Sequence, residues 1–160
     1  MTSTLKHTTR LLLVDDEPIM VRLLAKVIER SFGAGMELHC LTDAAEARRC
    51  IQQGLFDILL TDLEMPGVSG LELLRWMRRK NPAAQVLFIT GHSTLEALTD
   101  ALELGATDYL LKPLDQSELV QLLKDADQRL RRWRHALAGT VAARQELQTP
   151  LTHSWNEGCV

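Results

Sequence analysis

The feature that most constrains this chain is an alternation repeated five times. A short apolar run is followed by a stretch with helical spacing, and the connections between them are short. The runs are Arg10–Val14, Met36–Leu41, Asp57–Thr61, Gln85–Ile89 and Asp108–Leu111. Short apolar runs bounded by Gly, Pro, Asp or Asn read as strands buried on both faces. Parallel strands need long crossovers, and the intervening helices supply them. Right-handed crossovers then place helices on both faces of the sheet. The expected architecture is an open, doubly wound α/β sheet.

Local signals mark the helices. Pro18 opens the first, at a position where its missing N–H costs nothing. Ile19, Leu23, Val27 and Ile28 are its expected core face, and Gly33 and Gly35 end it. Thr42-Asp43 caps a helix over Ala44–Gln53, which Gly54 stops. A third helix runs from about Leu71 to Lys80 and ends at Asn81-Pro82. A fourth covers Thr94–Leu104 and is closed by Gly105. There, Ala97, Ala101 and Leu104 form the expected core stripe. Leu95, Leu98 and Leu102 form a second stripe, available to a partner if it faces solvent.

A last helix begins near Asp115. Leu119, Leu123, Ala126, Leu130, Trp133 and Leu137 recur at alternating spacings of four and three, a heptad seam. It runs about two turns past the expected domain edge, where Gly139 weakens it. The expected organisation is a disordered segment over 1–9, a domain over 10–129, and a helical, coiled-coil-like extension with a disordered tail over 130–160.

Composition excludes some classes. Apolar residues make up 46% and charged residues 24% of 160, a globular profile long enough for one domain and an appendage. No apolar run approaches the roughly 20 residues of a membrane span, and residues 1–9 carry no signal-peptide core. Cys40, Cys50 and Cys159 lack metal-ligand spacing, which fits a reducing cytoplasm. The net charge of −3 divides into −5 over 1–123 and +2 over 124–160. The basic run Arg129–His135 contains Trp133, but Trp133 falls on the seam and no helix-turn-helix pattern follows. Nucleic acid is therefore not the expected partner.

The chemistry gathers at the C-terminal ends of the strands, where open α/β sheets place their sites. Asp15 and Asp16 follow the first strand, Asp62 the third, Thr90 the fourth, and Lys112-Pro113 the fifth. Any one of these has an ordinary reading: a helix cap, a turn hydroxyl, a surface lysine or a loop breaker. All of them at one sheet edge define a cleft with three carboxylates, a hydroxyl and an ammonium. A divalent cation relieves the repulsion of the carboxylates, and all-oxygen ligands favour Mg²⁺ or Mn²⁺. A carboxylate beside such an ion is a candidate acceptor of a phosphoryl group.

The motifs Leu12-Leu-Val-Asp15-Asp16-Glu17, Leu59-Leu-Thr-Asp62-Leu-Glu-Met65-Pro66-Gly67-Val-Ser-Gly70, Ile89-Thr90-Gly91 and Gly105-Ala106-Thr-Asp-Tyr109-Leu-Leu-Lys112-Pro113 together resemble the receiver domain of bacterial two-component response regulators. The resemblance runs from about Arg10 to about Arg129. It implies a flavodoxin-like (βα)5 fold with a five-stranded parallel sheet in the order 2-1-3-4-5. It implies Asp62 as phosphoacceptor, with Asp15, Asp16, Asp62 and the backbone carbonyl of Glu64 around Mg²⁺. Lys112 would pair with Asp62 or its phosphoryl group, Thr90 and Tyr109 would be the switch pair, and the Lys112–Pro113 bond would be cis. The side chains of Glu64 and His92 occupy positions that affect how long the phosphoryl group survives. The phosphoryl group would come from a sensor histidine kinase or a phosphotransfer protein. Output would pass through the face of the fourth helix, fifth strand and fifth helix, with a homodimer through that face or through the C-terminal helix as a possible form.

Two alternatives stand beside this reading. One is the receiver fragment of a larger regulator, with an output domain elsewhere. The other is an aspartyl-nucleophile phosphatase. Such enzymes usually carry a second Asp two residues after the nucleophile, where this chain has Glu64, and they need a substrate-binding cap, for which no residues are expected to remain.

Overall fold

The computed structural model describes residues 8–92 and 94–148. The elements follow in strict alternation: β1 (Thr9–Val14), α1 (Pro18–Phe32), β2 (Met36–Leu41), α2 (Ala44–Gln53), β3 (Ile58–Thr61), α3 (Gly70–Lys80), β4 (Gln85–Thr90), α4 (Leu95–Glu103), β5 (Asp108–Leu111) and α5 (Gln116–Gln148). A short 3-10 turn, Gly33–Gly35, joins α1 to β2. The five strands form one parallel sheet in the order β2-β1-β3-β4-β5. This is the doubly wound fold that the alternation and the resemblance lead one to expect. The tail over 149–160 and residues 1–7 lie outside the described residues, and β1 begins at Thr9, one residue before the expected start.

Strand periodicity divides the core in two. Leu11 and Leu13 of β1 face one side, with Leu60, Leu87 and Ile89, and pack against α1 and α5. Leu12 and Val14 face the other, with Leu59, Val86 and Phe88, and pack against α2, α3 and α4. Alternate side chains on opposite faces are the direct consequence of the pleat.

Two expectations need correction. The core stripe of α1 is Val21, Leu24, Val27 and Ile28, while Ile19 and Leu23 are 76% and 46% exposed. Apolar residues cover a wide arc of this helix, so its spacing alone leaves the exact buried stripe open. The sheet selects it. Second, α5 does not fray at Gly139 but continues to Gln148. One glycine costs a helix about 1 kcal/mol, and the alanines around it are strong helix formers. The 33-residue helix is roughly 50 Å long.

The heptad seam also divides. Leu119, Leu123, Ala126 and Leu130 lie in the domain's own core, at most 2% exposed, and only Trp133 and Leu137 continue the seam into solvent. Polar contacts fix α5 to the opposite edge of the sheet from the cleft. Asp127 accepts from the Thr9 hydroxyl, Arg129 donates to Gln85 Oε1 at 3.3 Å, and Arg134 Nη2 lies 2.7 Å from Asp57 Oδ1. With Arg131 paired to Asp127 at 2.8 Å, much of the basic run is engaged within the chain. In α4, Ala101 is buried, Ala97 and Leu104 are half-buried against the core, and Leu95 and Leu102 are exposed.

Candidate functional site: an acidic cleft at the strand ends

Register brings the cleft residues together. Val14 pairs with Thr61 and Thr90 with Leu111, so the next residues along each strand emerge side by side. The ladder runs one step further: Asp62 N donates to Val14 O at 3.1 Å, and Lys112 N to Thr90 O at 3.0 Å. Asp15, Asp62 and Lys112 thus leave the sheet at the same edge with fixed main chains.

The side chains converge. Carboxylate oxygens of Asp15, Asp16 and Asp62 all lie within 4.8 Å of one another. Asp15 and Asp62 are buried at 1% and 8% exposure, while Asp16 is exposed. Lys112 Nζ stands 3.1 Å from Asp15 Oδ2 and 3.2 Å from Asp62 Oδ2. The remaining Asp62 oxygen, Oδ1, accepts from Glu64 N at 3.2 Å, so the loop after β3 folds over the carboxylate. Asp16, Glu64, Gly91 and His92 complete the walls of a cavity of about 310 Å³.

The electrostatics follow from this crowding. Burial raises the Asp15 carboxyl above its ordinary range, the Glu17 amide and Lys112 oppose that shift, and the Asp62 charge adds to it. Burial also disfavours the Lys112 ammonium, but hydrogen bonds and charges from Asp15 and Asp62 outweigh it and hold the ammonium above its usual range. One cation faces the carboxylates of Asp15, Asp16 and Asp62, an imbalance that a hard divalent ion would correct. The donor set, all carboxylate oxygen, fits such an ion.

The other expected residues take definite places. The buried Thr90 hydroxyl donates to His92 O at 2.7 Å and accepts from His92 N at 3.3 Å. The Tyr109 ring packs half-buried against the α4 side of the core, with its hydroxyl buried and without a hydrogen-bond partner among the described residues. The Lys112–Pro113 peptide bond is cis.

Two residues escaped the sequence reading. Glu17 Oε1 lies 3.2 Å from Lys112 Nζ, a contact spanning 95 positions. Its only sequence signal is adjacency to Asp15-Asp16. Gly70 packs against the backbone of Asp62 and Leu63 where no side chain fits. The capping box of Ser69 and Glu72 locates that helix start but not the close approach.

A buried carboxylate, an acidic cluster and a lysine thus meet at the C-terminal edge of a 2-1-3-4-5 sheet. Residues 11–124 match the family described as the response regulator receiver domain, and the chain belongs to that family. It is 39% identical over 101 residues to the DNA-binding transcriptional regulator NtrC of Escherichia coli K12, covering 62% of this chain and 22% of that protein. It is 32% identical over 141 residues to the phosphoglycerate transport system transcriptional regulatory protein PgtA of Salmonella typhimurium LT2, covering 88% of this chain and 32% of that one. The match therefore spans roughly a fifth to a third of the length of these curated relatives. Among solved structures, a CheY-like receiver domain protein from Methanospirillum hungatei JF-1 superposes with a TM-score of 0.72 at 26% identity, over 79% of this chain and 99% of that one. A receiver domain protein from Clostridium thermocellum gives 0.71 at 27%, over 78% and 98%.

Receiver domains are signalling domains and bind Mg²⁺ through an acidic pocket, and histidine kinases or phosphotransfer proteins phosphorylate them. No helix among the described residues is long and apolar enough to cross a membrane.

Proposed function

We propose that Asp62 accepts a phosphoryl group from the phosphohistidine of a sensor histidine kinase or phosphotransfer protein. The observation that carries this is the meeting of three carboxylates within 4.8 Å at one strand edge, with Lys112 3.2 Å from Asp62. An oxygen of Asp62 forms the new bond to phosphorus as the donor's N–P bond breaks. Such transfer needs little beyond positioning and charge neutralisation. Asp15, Asp16, Asp62 and the Glu64 carbonyl would hold Mg²⁺ or Mn²⁺, which when bound neutralises phosphoryl oxygens. Lys112 supplies a second positive contact to the phosphoryl group, and the Thr90 hydroxyl, released from His92 O, a third.

The phosphoryl group adds roughly 1.5 to 2 negative charges and strong acceptors to the cleft. Movement of Thr90 towards it shifts the population of the α4-β5-α5 face, with Tyr109 as the reporting aromatic. Glu64 and His92, both at the cleft mouth, tune hydrolysis of the aspartyl phosphate, which the domain carries out on itself alone. Its setting would be the cytoplasm. The output acts on a protein partner, through the exposed Leu95 and Leu102 of α4, or on an output domain of a larger regulator. The relatives that extend well beyond the match favour that second form. A homodimer through the same face or through α5 belongs to this reading.

The test is incubation with acetyl phosphate and Mg²⁺ followed by intact mass. The wild type should gain one phosphoryl group and Asp62→Asn none. A wild type that gains nothing, or an equal gain in both, would overturn the assignment.

A further inference from the structure

Glu17 is the third carboxylate on Lys112, and the roles above leave it unassigned. Its Oε1 lies 3.2 Å from Lys112 Nζ, alongside Asp15 Oδ2 at 3.1 Å and Asp62 Oδ2 at 3.2 Å. An ammonium group carries three N–H donors, so these three carboxylates take all of them. Glu17 differs from the other two in its surroundings. Its side chain is 62% exposed, and its carboxylate stands outside the Asp15, Asp16, Asp62 group that shares ion-binding distance.

The ordinary role for an acidic residue at this position is capping. Glu17 is the N-cap residue of α1, yet its side chain makes no capping hydrogen bond. Glutamate is not among the favoured N-caps, whose shorter side chains reach the first-turn amides. The side chain turns to Lys112 instead. The main chain is held at the same place, because Glu17 N donates to Asp15 Oδ1 at 2.9 Å. The residue is therefore fixed twice, by its backbone to a cleft carboxylate and by its side chain to the cleft ammonium.

The next step rests on the reading of Asp62 as the phosphoacceptor. On that reading Asp15 and Asp62 give oxygens to a divalent cation, and Asp62 gives up its carboxylate charge when its oxygen takes the phosphoryl group from the donor's N–P bond. Two of the three partners of Lys112 are then weakened. We propose that Glu17 is a positioning residue for Lys112. It keeps the ammonium over the cleft while Asp15 and Asp62 are engaged, so that Lys112 has only to release Asp62 to meet a phosphoryl oxygen. A partly solvated ion pair is a weak tether, which suits a lysine that must change partners.

The test compares the wild type with Glu17→Gln and Glu17→Asp. Gln removes the charge, whereas Asp keeps the charge and loses the reach by one methylene. The direct readout is the Lys112 ammonium ¹H–¹⁵N signal in saturating Mg²⁺, seen when its protons are held from exchange with water and assigned by its loss in Lys112→Gln. The second is the affinity for beryllofluoride with Mg²⁺, followed by ¹⁹F NMR, with melting curves to confirm that both variants fold. The signal should be present in the wild type and lost in both variants, with beryllofluoride affinity lowered about two- to fivefold in each, the range of a partly exposed ion pair. Retention of signal and affinity in both variants would overturn the proposal. So would a Glu17→Asp protein that matches the wild type while Glu17→Gln does not, since net charge would then explain the effect. A wild type that binds no beryllofluoride would refute the phosphoacceptor reading, and this inference would fall with it. Failure of this inference alone shows as a wild type that binds and variants that bind equally well.

Discussion

A Cβ atom at Gly70 would collide with the carbonyl oxygen of Asp62, and would also stand 2.9 Å from the Phe88 ring. The start of α3 is thus seated directly on the backbone of Asp62, and Gly70 N donates to Leu63 O at 2.9 Å to hold it there.

Gly70→Ala sets two effects against each other. Alanine is the better helix former by about 1 kcal/mol. Overpacking against fixed backbone costs about 1–3 kcal/mol, and the colliding atom is a carbonyl rather than a flexible side-chain end. The collision wins, so the variant is expected to be less stable by up to about 2 kcal/mol in urea unfolding. Its phosphorylation by acetyl phosphate is expected to slow, because the acceptor loop must shift. Unchanged stability would show that the loop yields freely.

Asp16→Asn tests ion binding apart from folding. It is exposed, yet its carboxylate belongs to the cluster of three. Asp16→Asn should melt with the wild type in a chelator. Mg²⁺ at about a hundred times its dissociation constant should stabilise the wild type by about 2.7 kcal/mol and leave the variant nearly unmoved. Differential scanning calorimetry with and without Mg²⁺ checks this, and equal stabilisation of both proteins would remove Asp16 from the ion site.

Asp15 governs a pH dependence. Burial raises its carboxyl above the ordinary value of 3.8. A carboxyl raised by folding contributes stability that is fully present below the unfolded value and is lost as pH rises through the folded one. Asparagine, neutral throughout, does not incur that loss. Without Mg²⁺, Asp15→Asn is expected to melt close to the wild type below pH 3.8 and above it at pH 7. A variant that melts lower at pH 7 would mean that the Asp15–Lys112 pair outweighs the burial.

The tether of α5 is expected to be asymmetric. Asp57 accepts from Arg10 N at 2.9 Å and forms an ion pair with Arg134. Asp57→Ala strands a main-chain donor and should cost about 1–3 kcal/mol. Arg134→Ala leaves Asp57 bound to Arg10 N and should cost no more than about 1 kcal/mol, as its guanidinium is partly solvated. Urea titrations of the two variants provide the comparison, and equal losses would place the whole effect in the ion pair.

The alternation of elements, the fold class and the set of residues at the strand ends were legible in the residues alone. These follow from local chemistry: short apolar runs form strands buried on both faces, and Asp, Gly and Pro end such runs wherever they stand. The same locality explains what stayed hidden. The apolar residues of α1 cover a wide arc of the helix, so only docking on the sheet buried Val21 and Leu24 and exposed Ile19 and Leu23. The heptad of α5 describes one stripe, but only packing made its first half the domain's own core and left Trp133 and Leu137 in solvent. The contact of Glu17 with Lys112 and the close approach of Gly70 to Asp62 join residues through space. No local pattern encodes them, because strand register and helix docking, rather than neighbouring residues, set those distances.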